Sequence, residues 1–406
     1  MLGKGWLSLA VLLILASIVF HQVPLLLASL LLMLTAAVSH LWGRYCLKKL
    51  EYERDISPQR AFFGEEVDLR LRLVNRKLLP LAWLEVEDEF PQAVTLLKGE
   101  LYRSYKPTRM LLNNILSLRW YERVTRRYPL RCDSRGYHAF GPVTIRSGDI
   151  FGFSSVEISI PRIDYLLVYP KIVPIAKLGI PSKHPFGDIR ARQHIFEDVA
   201  RTIGVRPYSP GDSPRRIHWK ATARTQELQV KLFEPATTID LLLFLNVSTY
   251  EPAWQGTIPQ LLELAVTAAA SVANHAIEEG YQVGLYANNN LPGSDQPVRI
   301  RSARSPDQLT HILEALAKIS HFAPTSMERL MQKESRGLPW SATVVLITAV
   351  ASEALLSVLL RLKRDGHKTA LILIGDNMPK LRLDGIDVYN VGGEEVWREI
   401  KELQLA

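Results

Sequence analysis

The sequence predicts a multidomain α+β protein on a membrane hairpin, with an antiparallel β-sandwich followed by a doubly wound α/β domain. Three observations point there. Two apolar runs fill most of the first 42 residues. Residues 66–74 (EVDLRLRLV) alternate polar and apolar side chains at period two, the pattern of a half-buried strand. Residues 239–246 (IDLLLFLN) are apolar almost throughout, as in a strand buried on both faces, and an alanine-rich helical period follows over 258–279. At 406 residues the chain exceeds one ordinary core, and the changes of pattern divide it into 1–45, 50–165, 166–237 and 238–406.

The hairpin is built from residues 5–20 (GWLSLAVLLILASIVF) and 24–42 (PLLLASLLLMLTAAVSHLW), separated only by His21, Gln22 and Val23. At about 1.5 Å per residue each run covers most or all of a bilayer core of about 30 Å. A signal peptide followed by a buried helix is the competing reading, but no small-residue cleavage site stands out after the first run. Lys4 precedes the first run, Arg44, Lys48, Lys49 and Arg54 follow the second, and the turn has no Lys or Arg. The positive-inside rule then puts both ends, and the soluble part with them, on the cytoplasmic side of the inner membrane.

Strand patterns occupy residues 51–165, with 81–86 and 136–145 (GYHAFGPVTI) continuing the alternation. Within them residues 101–146 hold ten Lys or Arg against only Glu122 and Asp133. One reading is strand edges guarded by charge. The other is a face held against anionic lipid of the inner leaflet, where each nearby cation adds about 1 kcal/mol. The formal net charge of +8 suits either. The two cysteines, Cys46 and Cys132, make neither a disulfide framework nor a zinc set and favour a reducing compartment.

Past residue 238 strand and helix alternate. Residues 281–287, 342–348 and 368–374 read as strands, and 306–319, 352–365 and 394–403 as helices, which gives a mostly parallel sheet. Between the two domains stands GVRPYSPGDSPRRIHWKATART, residues 204–225. Its Ser209-Pro210-Gly211-Asp212 is a type II turn signal, after which Asp212 or Ser213 can cap a helix with Pro214 in its first turn. Arg216, Lys220 and Arg224 then share one helical face, while Ile217, Trp219, Ala221 and Ala223 anchor others. Either the stripe is an elbow whose arginines pair with Glu197, Asp198, Asp212 or Glu234, or some cations stay free for an acidic partner face or a phosphate.

A hydrophobic hairpin, then FFGEEVDLRLRLVNRKLLPLAWLEVED (62–88) and RGYHAFGPVTIRSGDIFGF (135–153), then GVRPYSPGDSPRRIHWKATAR, then the α/β part: together these resemble the bacterial domain of unknown function 58 family. The resemblance covers nearly the whole chain. It implies a Rossmann-like, von Willebrand factor A-like C-terminal domain, a MoxR-type AAA+ ATPase as partner and a transglutaminase-like membrane protein as a second. It also makes Arg206, Tyr208, Gly211, Asp212 and Arg216, with His218, Trp219, Lys220 and Arg224, the motif and interaction residues.

Metal-binding domains of the von Willebrand type present Asp-x-Ser-x-Ser after the first strand and a further Asp after the fourth, because hard oxygen ligands must converge on Mg²⁺. Here the first motif is Asn246-Val247-Ser248-Thr249-Tyr250, and Ala349 follows Thr348 where an acid would stand. No metal or other cofactor is expected. No phosphate-binding loop, His-Glu-x-x-His or Gly-x-Ser-x-Gly occurs, and no nucleic-acid reader is recognisable. The expectation is therefore a membrane-anchored, cytoplasm-facing scaffold or adaptor, not an enzyme, acting with the ATPase in assembly or maturation of protein complexes such as those of the cell envelope. The alternatives are a hydrolase or phosphate-ester enzyme using Asp212, His218 and Arg216, and a metal-dependent ligand-binding module.

Overall fold

A computed structural model describes residues 12–16, 23–152, 154–178, 197–209, 217–235, 240–251, 256–339, 342–375 and 385–392. The chain forms two compact units, Met1–Lys171 and Ile172–Ala406.

The first unit opens with helix α1, Val23–Tyr45, a Leu- and Ala-rich run whose single proline, Pro24, sits in the first turn where no backbone donor is needed. Its stretch Leu26–Tyr45, 20 residues, is long and apolar enough to cross a membrane, and it is the one such helix among the described residues. Of the expected first arm only residues 12–16 are described, as helix. The rest of that arm and His21 and Gln22 of the turn lie outside the described residues, and Val23 is the first residue of α1.

Twelve strands follow: β1 (Leu50–Ser57), β2 (Arg60–Phe62), β3 (Glu66–Asn75), β4 (Leu81–Pro91), β5 (Thr95–Leu96), β6 (Leu101–Arg103), β7 (Arg109–Leu118), β8 (Arg123–Arg131), β9 (Gly136–Phe140), β10 (Val143–Gly148), β11 (Ser155–Ile160) and β12 (Asp164–Tyr169). They form an antiparallel sheet in the order β1-β3-β8-β5, a second in the order β11-β10-β4-β7-β6, and a third, β2-β12-β9, in which β2 and β12 run parallel. The period-two pattern decides which side chains meet. Val67, Leu69, Leu71 and Leu73 of β3 point into one core with Leu84, Val86 and Phe90 of β4 and Val143 and Ile145 of β10, so the two larger sheets share an interior. Phe90 and Phe140 pack edge to face there at 5.1 Å.

Part of the expected basic face is paired in space. Arg146 reaches Glu157, Glu87 and Glu85, Lys106 pairs with Glu89, Arg131 with Asp133, Arg126 donates to Asn114, and Arg109 donates to the Ala139 carbonyl. Most of these acids belong to β4 and β11, outside the cationic window. A count along the chain could not see partners delivered across a sheet.

In the second unit β13 (Glu197–Pro207) and β14 (Gln229–Pro235) form an antiparallel pair, with the short helix α2 (Trp219–Thr225) between them in sequence. The remaining elements are β15 (Asp240–Leu245), α3 (Pro259–Glu278), β16 (Gln282–Asn290), β17 (Pro297–Ala303), α4 (Gln308–Lys318), α5 (Met327–Glu334), β18 (Thr343–Thr348), α6 (Glu353–Arg364), β19 (Lys368–Ile374) and β20 (Asp387–Val391). Six strands make one sheet in the order β17-β16-β15-β18-β19-β20, all parallel except β17 at the edge. Leu242 and Phe244 of β15 pack with Met327, Leu330, Leu355 and Leu359 of α5 and α6. Helix α3 carries buried residues around most of its circumference, from Leu262 to Ala276, which its small alanines permit. The sequence pattern placed β15, α3, β16, β18, α6 and β19 to within a few residues; α5, β17 and β20 escaped it, and the helix expected over 394–403 lies outside the described residues.

Candidate functional site

Numbered from β15, the sheet order is 3-2-1-4-5-6, so the chain reverses direction across the sheet between β15 and β18. Crevices at the carboxyl ends of strands at such a reversal are where open α/β sheets take ligands. Here that position is closed by a network of amides and hydroxyls. Asn246, just after β15, donates from Nδ2 to Thr348 Oγ1 at 3.0 Å, and its Oδ1 accepts from Asn288 Nδ2 at 2.9 Å and from the Ser248 amide at 3.2 Å. Asn288 Oδ1 accepts the Val247 amide at 2.8 Å, and Thr348 Oγ1 donates to the Val350 carbonyl at 2.7 Å. Thr249 Oγ1 accepts the Ile258 amide at 2.6 Å and thereby ties the loop to the start of α3.

Asn246, Ser248, Asn288 and Thr348 are buried, Ala349 is half-buried, and Tyr250 is exposed. The donor set does not fit a divalent cation: the amide oxygen of Asn246 already serves two donors, Thr348 has spent its proton, and no carboxylate joins them. Among the described residues no three His, Cys, Asp or Glu side chains gather in metal-holding geometry. Asn288 and Thr348 were missed by sequence reasoning, although the run Asn288-Asn289-Asn290 at a strand end is a signal that could have found them. Asn289 donates to Ser320 Oγ at 3.0 Å and fixes the loop after α4.

The central motif departs from its expected form. The helix begins at Trp219, not near residue 213, because Ile217 is bridged to Val230 in extended backbone and His218 is the N-cap, its Nδ1 accepting the Ala221 amide at 3.0 Å. Seven residues cannot carry a three-residue stripe of this spacing, so only Lys220 and Arg224 share the helix, both exposed. Gly211, Asp212 and Arg216 lie outside the described residues. Trp219 is 69% exposed, which corrects its reading as an anchor. Ala223 is exposed as well. Arg206 and Tyr208, half-buried, lead out of β13, where the Tyr208 amide donates to the Leu228 carbonyl at 2.8 Å. The cap occupies Nδ1 of His218, one of its two ring nitrogens.

Strong charge perturbation is found instead inside the first unit. Arg54, with no side-chain exposure, donates to Asp88 and, at 2.9 Å, to Asp164, and its remaining nitrogen reaches the Arg162 carbonyl at 2.8 Å. Tyr52 donates to the second Asp88 oxygen at 2.5 Å. Burial pushes the Asp88 carboxyl up to about 6, with Arg54 and Tyr52 pulling against it, and burial likewise pushes the Tyr52 hydroxyl up. Gly141 has φ +96°, and a Cβ there would stand 2.3 Å from the Arg162 carbonyl, so only glycine admits the guanidinium. With Arg54 and Asp88 enclosed and Asp164 a quarter exposed, the cluster locks β1, β4 and β12 together.

The sequence profile of the family described as "Protein of unknown function DUF58" matches residues 204–381, which contain the central motif and most of the six-stranded sheet. The uncharacterized protein YeaD of Bacillus subtilis (strain 168) is 24% identical over 243 residues, 59% of this chain and 56% of that protein, so the match spans about half of the relative's length. Among solved structures, a non-cellulosomal cohesin from the archaeon Archaeoglobus fulgidus is similar at 11% identity and a TM-score of 0.20, over 30% of this chain and 91% of that one. The sporulation control protein Spo0M of Bacillus subtilis is similar at 13% identity and a TM-score of 0.19, over 30% of this chain and 50% of that one.

Proposed function

We propose that this chain is a membrane-anchored scaffold or adaptor whose α/β unit offers a contact surface to a MoxR-type AAA+ ATPase during assembly or maturation of protein complexes, those of the cell envelope included. The observation that carries this reading is the neutral, mutually satisfied network of Asn246, Asn288 and Thr348 at the position where a sheet of this order would hold a ligand or metal. A site that spends its polar atoms on itself stiffens a surface and turns over nothing. Exposed Trp219 and Arg224 on the capped helix α2 are of residue types enriched at protein interfaces, and Lys220 beside them makes the patch cationic.

Finer parts of the reading rest on the family resemblance. The 3-2-1-4-5-6 order supports a Rossmann-like, von Willebrand factor A-like domain. The apolar length of α1 supports a membrane span, with the first apolar run as the other arm of a hairpin and both termini cytoplasmic. A transglutaminase-like membrane protein is the proposed second partner. Crosslinking in native membranes followed by capture of the full chain tests the central claim. Recovery of an AAA+ ATPase with the wild type, and at least about tenfold less with Lys220→Glu, is expected, since charge reversal at an interface raises dissociation. Equal recovery from both, or none from either, overturns it.

A further inference from the structure

Helix α1 does not simply lead into the β-domain; its last two turns are seated on it. Ser154, between β10 and β11, donates to the Ser39 carbonyl at 3.4 Å, and a Cβ on Gly43 would come within 2.5 Å of the Ser154 hydroxyl oxygen. One turn further, Lys77, in the β3–β4 connection, donates from Nζ to the Cys46 carbonyl at 2.6 Å and closes the carboxyl end of the helix. The Arg76 amide donates to the Lys49 carbonyl, the Tyr121 amide to the Lys77 carbonyl, and Asn75 to the carbonyls of Leu79 and Arg119. Three connections, β3–β4, β7–β8 and β10–β11, therefore converge on the base of α1.

Their tips are apolar and exposed. Leu78 is 73% exposed, Trp120 and Tyr121 about as much, and Ile150 and Phe151 lead the β10–β11 connection. Large apolar tips on neighbouring loops imply something that covers them. The helix says what. A bilayer core of about 30 Å takes about 20 helical residues. Counted back from Tyr45 the span starts at Leu26, and counted forward from Val23 it ends near Trp42. Ser39 lies inside the span in either register. The connection bonded to Ser39 must then meet lipid, and Ile150 and Phe151 are the side chains it brings. Arg44, Lys48, Lys49 and Arg119, all exposed, stand around the same base, and the acids there are Glu51, paired with Arg76 at 2.8 Å, Glu122, which accepts the Arg119 amide, and Asp149, which is buried and accepts the Ser154 amide at 3.1 Å.

We propose that these three connections form a membrane-seated foot for the β-domain on an anionic bilayer. Ile150 and Phe151 enter the boundary of the acyl chains, Leu78, Trp120 and Tyr121 lie at headgroup level, and Lys48, Lys49 and Arg119 hold anionic headgroups. This rests on α1 crossing the bilayer, and the test separates the two claims.

The full chain is reconstituted in nanodiscs of three parts phosphatidylcholine to one part phosphatidylglycerol, with an environment-sensitive fluorophore on single introduced cysteines. Cys46 and Cys132 are buried, so labelling of the wild type gives the blank. Labels are placed at Ile150→Cys, at Trp120→Cys as an independent second position, at Leu31→Cys on the lipid-exposed part of α1, and at Tyr105→Cys, which is 87% exposed at the far end of β7. Spin-labelled lipids are the quenchers. Expected are strong quenching at positions 31, 150 and 120 and at least fivefold weaker quenching at 105, with the label at 150 closer to its 105 level when phosphatidylglycerol is omitted. Quenching at 31 with none above the 105 level at 150 and 120 overturns the foot and leaves the span. No quenching at 31 overturns both.

Discussion

Arg54 and Asp88 form an ion pair in which neither side chain reaches water, the first 0% and the second 4% exposed. Asp164 takes the other edge of the guanidinium and Tyr52 the other carboxylate oxygen, so four side chains from β1, β4 and β12 are joined. Removing one member of such a pair leaves a buried charge without compensation. Arg54→Met should therefore cost about 3 to 5 kcal/mol, and Tyr52→Phe, which removes one bond to a charged acceptor, about 1.5 to 3 kcal/mol. Urea unfolding of the full chain in detergent, followed by β-domain fluorescence, should rank the two in that order.

The same carboxyl predicts a pH dependence. Asp88 titrates at about 6 in the fold, above the roughly 3.9 of an unfolded aspartate. Between those values the folded chain holds more protons than the unfolded one, so the stability this group contributes is complete below about pH 4 and is lost as the pH rises through about 6. Asp88→Asn should remove that slope. Melting temperatures of wild type and variant from pH 4 to 8 should approach each other only in shape above pH 7, with the wild-type curve falling more steeply below it.

Asn246→Asp tests the closed network at the sheet reversal. Its new oxygen would face Thr348 Oγ1, whose proton already goes to the Val350 carbonyl, so two acceptors would meet in a buried place. The cost should be about 1 to 3 kcal/mol. Added Mg²⁺ should recover part of it for the variant and shift the wild type by nothing measurable in calorimetric melts, because only the variant offers a carboxylate.

Exposure of Trp219 predicts that Trp219→Ala changes stability by less than about 1 kcal/mol, far below the cost of emptying a buried aromatic site. His218→Ala, which removes the cap of α2, should cost about 0.5 to 2 kcal/mol. Thermal melts of the two variants should thus invert the order that residue size alone suggests.

At Gly43 two effects oppose. Alanine gains about 1 kcal/mol of helix propensity but displaces the Ser154 hydroxyl, so Gly43→Ala should stay within about 1 kcal/mol of wild type. Gly43→Val cannot be relieved by turning one hydroxyl and should cost about 1 to 3 kcal/mol. Combining it with Ser154→Gly should restore most of the loss in the same unfolding assay.

Strands whose side chains alternate, such as β3, and strands apolar throughout, such as β15 and β18, were legible because burial on one face or two writes itself into the sequence. Helix α2 was not. Its start depends on a bridge from Ile217 to Val230 and on a histidine used as a cap, and neither follows from propensity. In the cationic stretch over 101–146 the acids that face Arg146, Glu87 and Glu157, were not legible because sheet register is unknown from one strand. Asn246 was singled out for the acid it replaces; the partners that give it a role, Asn288 and Thr348, are 42 and 102 residues away.

Gly43 of α1 and Cys46 just past its end lie about one turn apart, and each is fixed to a different connection, Gly43 against Ser154 and Cys46 through Lys77. Two fastenings along one axis remove both swivel and bend at the joint. A spanning helix answers a change in bilayer thickness by tilting, commonly by about 20°. With this joint the sheets must turn through the same angle, and a point one ten-residue strand from the helix base, about 30 Å away, is carried roughly 10 Å. On the proposed membrane span, α1 is a lever arm, and the thickness of the surrounding lipid sets the tilt of the β-domain.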